Sequence, residues 1–149
     1  MHCSTYLVEV PLIGAGECGG VGKVEAKSKV LIVDDSMAVR SAVALMLRGG
    51  PYQCLEAEDG AQALEVLAGQ TVACVISDLH MPKMDGFELL RKLRQDPVHR
   101  FTPVLILTTD RVDENREALR QAGATGILSK PITPDQLTKA VERAVKPQA

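Results

Sequence analysis

Asp34-Asp35, Asp78, Thr108-Thr109 and Lys130-Pro131 each stand at the end of a short apolar or strand-like run of the 149-residue chain. Singly they are ordinary: an Asp there caps a helix or shapes a turn, and a Lys is solvated. If the runs are strands of one parallel sheet, three carboxylates, a hydroxyl and an ammonium converge at one rim. Three like charges that close raise one another's pKa unless a cation compensates. The donors are all oxygen, without thiolate or imidazole, which suits a hard ion. Magnesium fits best, because it takes one or two carboxylates and keeps waters for a phosphate. A carboxylate beside Mg²⁺ can attack phosphorus to give an aspartyl phosphate. Phosphoryl transfer asks the protein mainly for positioning and charge stabilisation, which the Thr108 hydroxyl and the Lys130 ammonium can supply. Asp78 is the first candidate for nucleophile, since the Asp34-Asp35 pair is better placed to hold the ion. Spacing alone does not rank the three carboxylates.

The elements that must position these groups follow from periodicity. Val30-Leu31-Ile32-Val33, Val72-Ala73-Cys74-Val75-Ile76 and Val104-Leu105-Ile106-Leu107 are continuous apolar runs, the pattern of strands buried on both faces. Tyr52–Ala57 and Thr125–Ser129 are weaker strand candidates. Val39, Ala42, Val43, Met46 and Leu47 follow helical spacing, ended by Gly49 and Gly50. Leu137, Ala140, Val141, Ala144 and Val145 repeat it after a Thr133-Pro134-Asp135-Gln136 capping box. Ala61–Ala68, Phe87–Arg94 and Asn115–Ala122 predict three more helices. Five strands alternating with five helices predict an α/β doubly wound sheet, whose ligands collect at the carboxyl ends of its strands.

Residues 1–28 read as a flexible extension, with Gly14, Gly16, Gly19, Gly20 and Gly22 within nine positions. Gly14-x-Gly16-x-x-Gly19 matches the dinucleotide fingerprint after the strand-like Leu7–Ile13. No helix pattern follows it, and no strand with a terminal acid arrives at the required distance. The expected domain is 29–147.

Composition narrows the function classes. Hydrophobic residues at 46% and charged residues at 24% describe a globular chain rather than a disordered one. A net charge of −2, no Trp, two Tyr and two Phe argue against a nucleic-acid partner. No apolar run approaches the roughly 18 residues of a membrane span. Cys54 and Cys74 sit inside strand-like runs, and Cys3 and Cys18 form no metal-spaced pair. Reduced thiols and the lack of a basic, apolar leader point to the cytoplasm.

VLIVDDS, the DLHMPKMDG loop, PVLILTT and the SKP step resemble the receiver domain of two-component response regulators, in particular the single-domain chemotaxis-regulator (CheY-like) type. The resemblance covers Lys29 to about Lys146. It implies a flavodoxin-like sheet of order 2-1-3-4-5. It also implies that Asp78 accepts a phosphoryl group from a sensor histidine kinase or a histidine phosphotransfer protein. Asp35 and Asp78 would bind Mg²⁺ directly, with the backbone carbonyl of His80, and Asp34 largely through water. Thr108 would hydrogen-bond a phosphoryl oxygen, and Lys130 would pair with it across a cis Lys130–Pro131 bond. His80, Thr109 and Asp110 fall where receivers tune loss of the phosphoryl group. The Met81-Pro82 and Asp85-Gly86 pairs would shape the loop that carries the nucleophile.

Two positions depart from the family pattern. Ile127 stands where such receivers usually carry an aromatic switch residue, and Ile132 where Phe commonly follows Lys-Pro. The fold tolerates both, but the aromatic switch is absent, so the fourth helix and fifth strand would sense Thr108 through aliphatic packing. Only Lys146-Pro147-Gln148-Ala149 follow the receiver, so the expected output is a partner bound on the fourth helix, fifth strand and fifth helix, roughly Val112–Val145. A motor switch protein is one such target. The rivals are a phosphorylation-independent interaction module and a Mg-dependent aspartyl phosphatase. The phosphatase usually places its two carboxylates at alternate positions, whereas Asp34 and Asp35 are adjacent. A flavin carrier of the same fold is disfavoured, since two carboxylates would repel the cofactor phosphate.

Overall fold

The computed structural model describes residues 7–11, 21–25, 27–109 and 113–145. In chain order the elements are β1 (Leu7–Pro11), β2 (Val21–Glu25), β3 (Ser28–Val33), α1 (Met37–Leu47), β4 (Tyr52–Ala57) and α2 (Gly60–Leu67). They continue with β5 (Cys74–Asp78), α3 (Gly86–Gln95), β6 (Val104–Thr108), α4 (Asp113–Ala122), β7 (Gly126–Ser129) and α5 (Pro134–Val145). Five strands form one parallel sheet in the order β4-β3-β5-β6-β7, which counts as 2-1-3-4-5 among themselves. That is the flavodoxin-like arrangement that the family resemblance implies. Outside it, β1 and β2 pair antiparallel, from Leu7 opposite Glu25 to Pro11 opposite Val21. The Gly14-to-Gly19 fingerprint, Cys3 and Cys18 lie outside the described residues.

The sheet is apolar along its length because both faces are covered. Leu31, Val33, Val75, Val104 and Ile106 point into a core completed by α2, α3 and α4. Their alternating neighbours Val30, Ile32, Cys74, Ile76, Leu105 and Leu107 point into a second core closed by α1 and α5. Burying one such large side chain contributes roughly 1.5–3 kcal/mol, so the three central strands hold the rim in place. Helix starts follow local chemistry. Ser36, Asp59 and Asp85 accept from the backbone N–H of Val39, Gln62 and Glu88 at the heads of α1, α2 and α3. At α5, Gln136 N–H donates to Thr133 Oγ1 (3.1 Å) and Thr133 N–H to Gln136 Oε1 (3.2 Å), a reciprocal capping box. Among the described residues no helix is long and apolar enough to cross a membrane.

Cys54 and Cys74 are free thiols facing Val30 from either side of β3. Burial pushes the Cys74 thiol up to about 12 from an ordinary 9.0. The unfolded chain therefore releases this proton first. Its contribution to stability is complete below pH 9 and is lost as pH climbs toward 12. Stability against urea is expected to fall by up to about 1.4 kcal/mol per pH unit in that window. Cys74→Val is expected to flatten the decline; an unchanged slope would assign it to other groups.

Candidate functional site

The ladder continues one residue past the strands, and this places the polar side chains. Asp34 N–H donates to Ala57 O (3.1 Å), Leu79 N–H to Leu107 O (2.9 Å) and Lys130 N–H to Thr108 O (2.9 Å). Asp34 thus follows β3 directly, Asp78 ends β5, Thr108 ends β6, and Lys130 follows β7. All stand at the carboxyl edge of the sheet, where parallel α/β folds bind ligands.

One carboxylate oxygen from each of Asp34, Asp35 and Asp78 lies within 4.8 Å of the others. Asp34 is buried at 1% exposure and Asp78 at 7%, while Asp35 is exposed. Lys130 Nζ bridges the two buried acids, 3.1 Å from Asp78 Oδ1 and 3.4 Å from Asp34 Oδ2. The ammonium is thus paired with two of the three carboxylates. Burial raises the Asp34 pKa above its ordinary value, and the neighbouring Asp78 charge adds to the rise. The Ser36 N–H, donated to Asp34 Oδ1 at 2.8 Å, and Lys130 oppose it without cancelling it. An all-oxygen cluster short of positive charge has the chemistry of a hard divalent-cation site. The magnesium expectation fits these residues.

Thr108 is buried at 1% exposure at the end of β6, and Thr109 beside it is exposed. His80 is exposed two residues beyond Asp78, and Asp110 lies outside the described residues. The Lys130–Pro131 peptide is cis, as expected. Ile127 is half-buried and packs on the α2–α3–α4 core, while Ile132 packs on the α1–α5 core.

Two features at the rim, Arg40 and Arg116, carry no advance signal in the sequence, and a third, Gly86, goes beyond its sequence reading. Arg40, on α1, is buried and its Nη1 donates to the backbone carbonyl of Asp34 (2.6 Å). Arg116 of α4 donates to Ser129 Oγ, next to Lys130, so α4 is tied to β7 by a polar link besides aliphatic packing. Gly86 is more than a turn former. Its N–H donates to Leu79 O (2.9 Å), and a Cβ there would collide with the Asp78 carbonyl oxygen.

Residues 30–142 match the model of the response regulator receiver domain. The chain belongs to this family. The receiver is 39% identical to the chemotaxis protein CheY4 of Vibrio cholerae, with a TM-score of 0.76 over 80% of this chain and 99% of that one. It superposes with a TM-score of 0.74 and 28% identity on the receiver domain of the sensor histidine kinase PA1611 of Pseudomonas aeruginosa, solved with a magnesium ion coordinated in the active site cleft. That match covers 80% of this chain and 98% of that one. The receiver is also 36% identical over 116 residues to the DNA-binding transcriptional regulator NtrC of Escherichia coli, covering 78% of this chain and 24% of that protein. It is 36% identical over 112 residues to the sensor histidine kinase RcsC of Salmonella typhi, covering 75% and 12%. The chain thus spans about a quarter or less of the length of these curated relatives.

Proposed function

We propose that this receiver is a phosphoacceptor signalling module in which Asp78 takes a phosphoryl group from a phosphohistidine. The observation that carries the reading is strand order. Asp78 ends the central strand β5, with Asp34 and Asp35 following β3 on one side and Thr108 ending β6 on the other. A phosphoryl group on Asp78 would then have acidic cation ligands to one flank and a hydroxyl and an ammonium to the other. Neither Asp34 nor Asp35 has that flanking arrangement, which ranks the three carboxylates where spacing alone does not.

Asp34, Asp35 and Asp78 would hold magnesium, with the backbone carbonyl of His80. When bound, the ion offsets carboxylate charge and stabilises the oxygens of the transferring phosphoryl group. An Asp78 carboxylate oxygen attacks phosphorus, the new O–P bond forms, the P–N bond to the donor imidazole breaks, and the imidazole leaves with its electron pair. The Lys130 ammonium exchanges its pairing with the Asp78 carboxylate for one with a phosphoryl oxygen, and the Thr108 O–H donates a hydrogen bond to another. By the family resemblance, His80, Thr109 and Asp110 would tune loss of the phosphoryl group. The donor is a sensor histidine kinase or a histidine phosphotransfer protein. The downstream partner docks on α4, β7 and α5, where Arg116 and Ile127 link the site to the surface. Similarity to CheY4 over nearly its whole length favours use as a stand-alone module and, more specifically, a role in chemotaxis.

Intact-protein mass after acetyl phosphate treatment tests the reading. One phosphoryl group is expected on wild type with Mg²⁺, none in chelator, and none on Asp78→Asn. A slowly hydrolysed mimic, beryllofluoride, covers rapid loss. No adduct and no mimic binding on wild type would leave the phosphorylation-independent interaction module. Continuous release of phosphate from small esters would favour the phosphatase.

A further inference from the structure

The geometry points to Arg40 as a positioning residue for the acidic cluster, an inference that rests on reading that cluster as a magnesium site. Arg40 is the only charged residue in α1, and it points inward, at 8% exposure. Its guanidinium makes two directed contacts. Nη1 donates to the Asp34 carbonyl (2.6 Å), and Nε donates to Glu56 Oε1 on β4 (3.0 Å). The Asp34 carbonyl belongs to the peptide that joins Asp34 to Asp35. Holding it fixes the plane from which both carboxylates project.

The other side of Asp34 is held as well. Its N–H donates to Ala57 O, next to Glu56 on the same strand (3.1 Å). Residue 34 is thus clamped between the end of β4 and a guanidinium that β4 itself orients. The Asp34 carboxylate, with Oδ1 on Ser36 N–H and Oδ2 toward Lys130, has little freedom left. Outer contacts of this kind set metal affinity, because the ligands need not be ordered when the ion arrives. A lysine cannot make the same clamp, since one ammonium lacks the planar fork that reaches two acceptors in fixed directions.

The test uses the full chain and three variants, Arg40→Met, Arg40→Lys and Glu56→Gln, with folding checked by circular dichroism and urea midpoint. Magnesium affinity is measured by calorimetry, and the acetyl phosphate reaction is followed at low and at saturating magnesium. Arg40→Met is expected to weaken magnesium binding about 10–100-fold. Its reaction rate is expected to fall at low magnesium and to return to within about twofold of wild type at saturation, since the loss is one of ligand order. Arg40→Lys is expected to match Arg40→Met, which makes direction rather than charge the cause. It also serves as the readable variant if Arg40→Met does not fold. Glu56→Gln, which leaves the guanidinium on the carbonyl, is expected to lie between these and wild type. Unchanged affinity in folded Arg40 variants, or a rate that saturating magnesium does not restore, overturns the positioning role. A wild-type chain that binds no magnesium and takes no phosphoryl group overturns the receiver-site reading itself.

Discussion

With divalent cations chelated, Asp34→Asn is expected to unfold at a higher temperature than wild type, and saturating magnesium is expected to reverse that order. The first half follows from burial and charge. Asp34 is 1% exposed, and burial together with the Asp78 carboxylate raises its pKa despite Ser36 and Lys130. An acid whose folded pKa is raised is less favourable when ionised in the fold than in the unfolded chain. Asparagine keeps the volume and an oxygen for the Ser36 N–H, and leaves Lys130 to Asp78 alone. Because Lys130 keeps Asp78 as a partner, the neutral isostere leaves no buried charge unpaired and relieves the repulsion between the two acids, so the unfolding temperature is expected to rise. The second half is mass action. Magnesium at a hundredfold over its Kd adds about 2.7 kcal/mol to a protein that binds it only when folded, and a lost carboxylate removes most of that gain. Calorimetric scans in chelator and in magnesium read both halves. A variant less stable than wild type in chelator would mean that Lys130 alone compensates the cluster. An equal magnesium gain in both proteins would place the ion elsewhere.

How much of this site is legible in sequence depends on which interactions run along the chain and which run across it. The three central strands are plain because a sheet covered on both faces needs no polar alternation, and Val30–Val33 and Val104–Leu107 show none. The carboxyl-edge residues are plain for the same reason, since each polar group ends an apolar run. Strand β7 is weaker because all four of its residues are half-buried at the sheet edge. The β1–β2 pair is hidden by the glycines between its strands. Its register sets Val8 opposite Val24 and Glu9 opposite Lys23, a pattern too short to outweigh turn chemistry. Arg40 is hidden differently. A single Arg in a helix reads as a solvated residue, and its burial depends on Glu56, sixteen positions away on strand β4. The Arg116 link to Ser129 is hidden in the same way. Departure from the aromatic pattern at Ile127 therefore predicts the loss of one device without revealing the polar contact beside it.

Gly86→Ala is expected to damage the rim more than any surface change, because the clash it creates has no side chain to absorb it. The new methyl would meet the Asp78 carbonyl oxygen, with Leu79 Cα and Asp78 carbonyl carbon close behind at 3.1 and 3.2 Å. All three are backbone atoms. Asp78 is held in the β5–β6 ladder opposite Leu107, and Leu79 N–H is bonded to Leu107 O. The head of α3 must therefore retreat, at the expense of the Gly86 N–H bond to Leu79 O and the Asp85 cap on Glu88 N–H, or the end of β5 must shift. Overpacking of this kind is expected to cost about 3 kcal/mol, visible as a lower urea midpoint. If β5 gives way instead, the nucleophile moves with it. A displacement near 1 Å is expected to slow the acetyl phosphate reaction about a hundredfold. Gly69→Ala supplies the control, since a Cβ at Gly69 meets nothing within 4 Å. That variant is expected to stay within about 0.5 kcal/mol of wild type and to react at the wild-type rate. A Gly86→Ala protein that matches Gly69→Ala in both measurements would mean that the loop carrying Asp78 is softer than its hydrogen bonds imply. A stability loss with an unchanged rate would mean that α3 yields while the nucleophile holds its place.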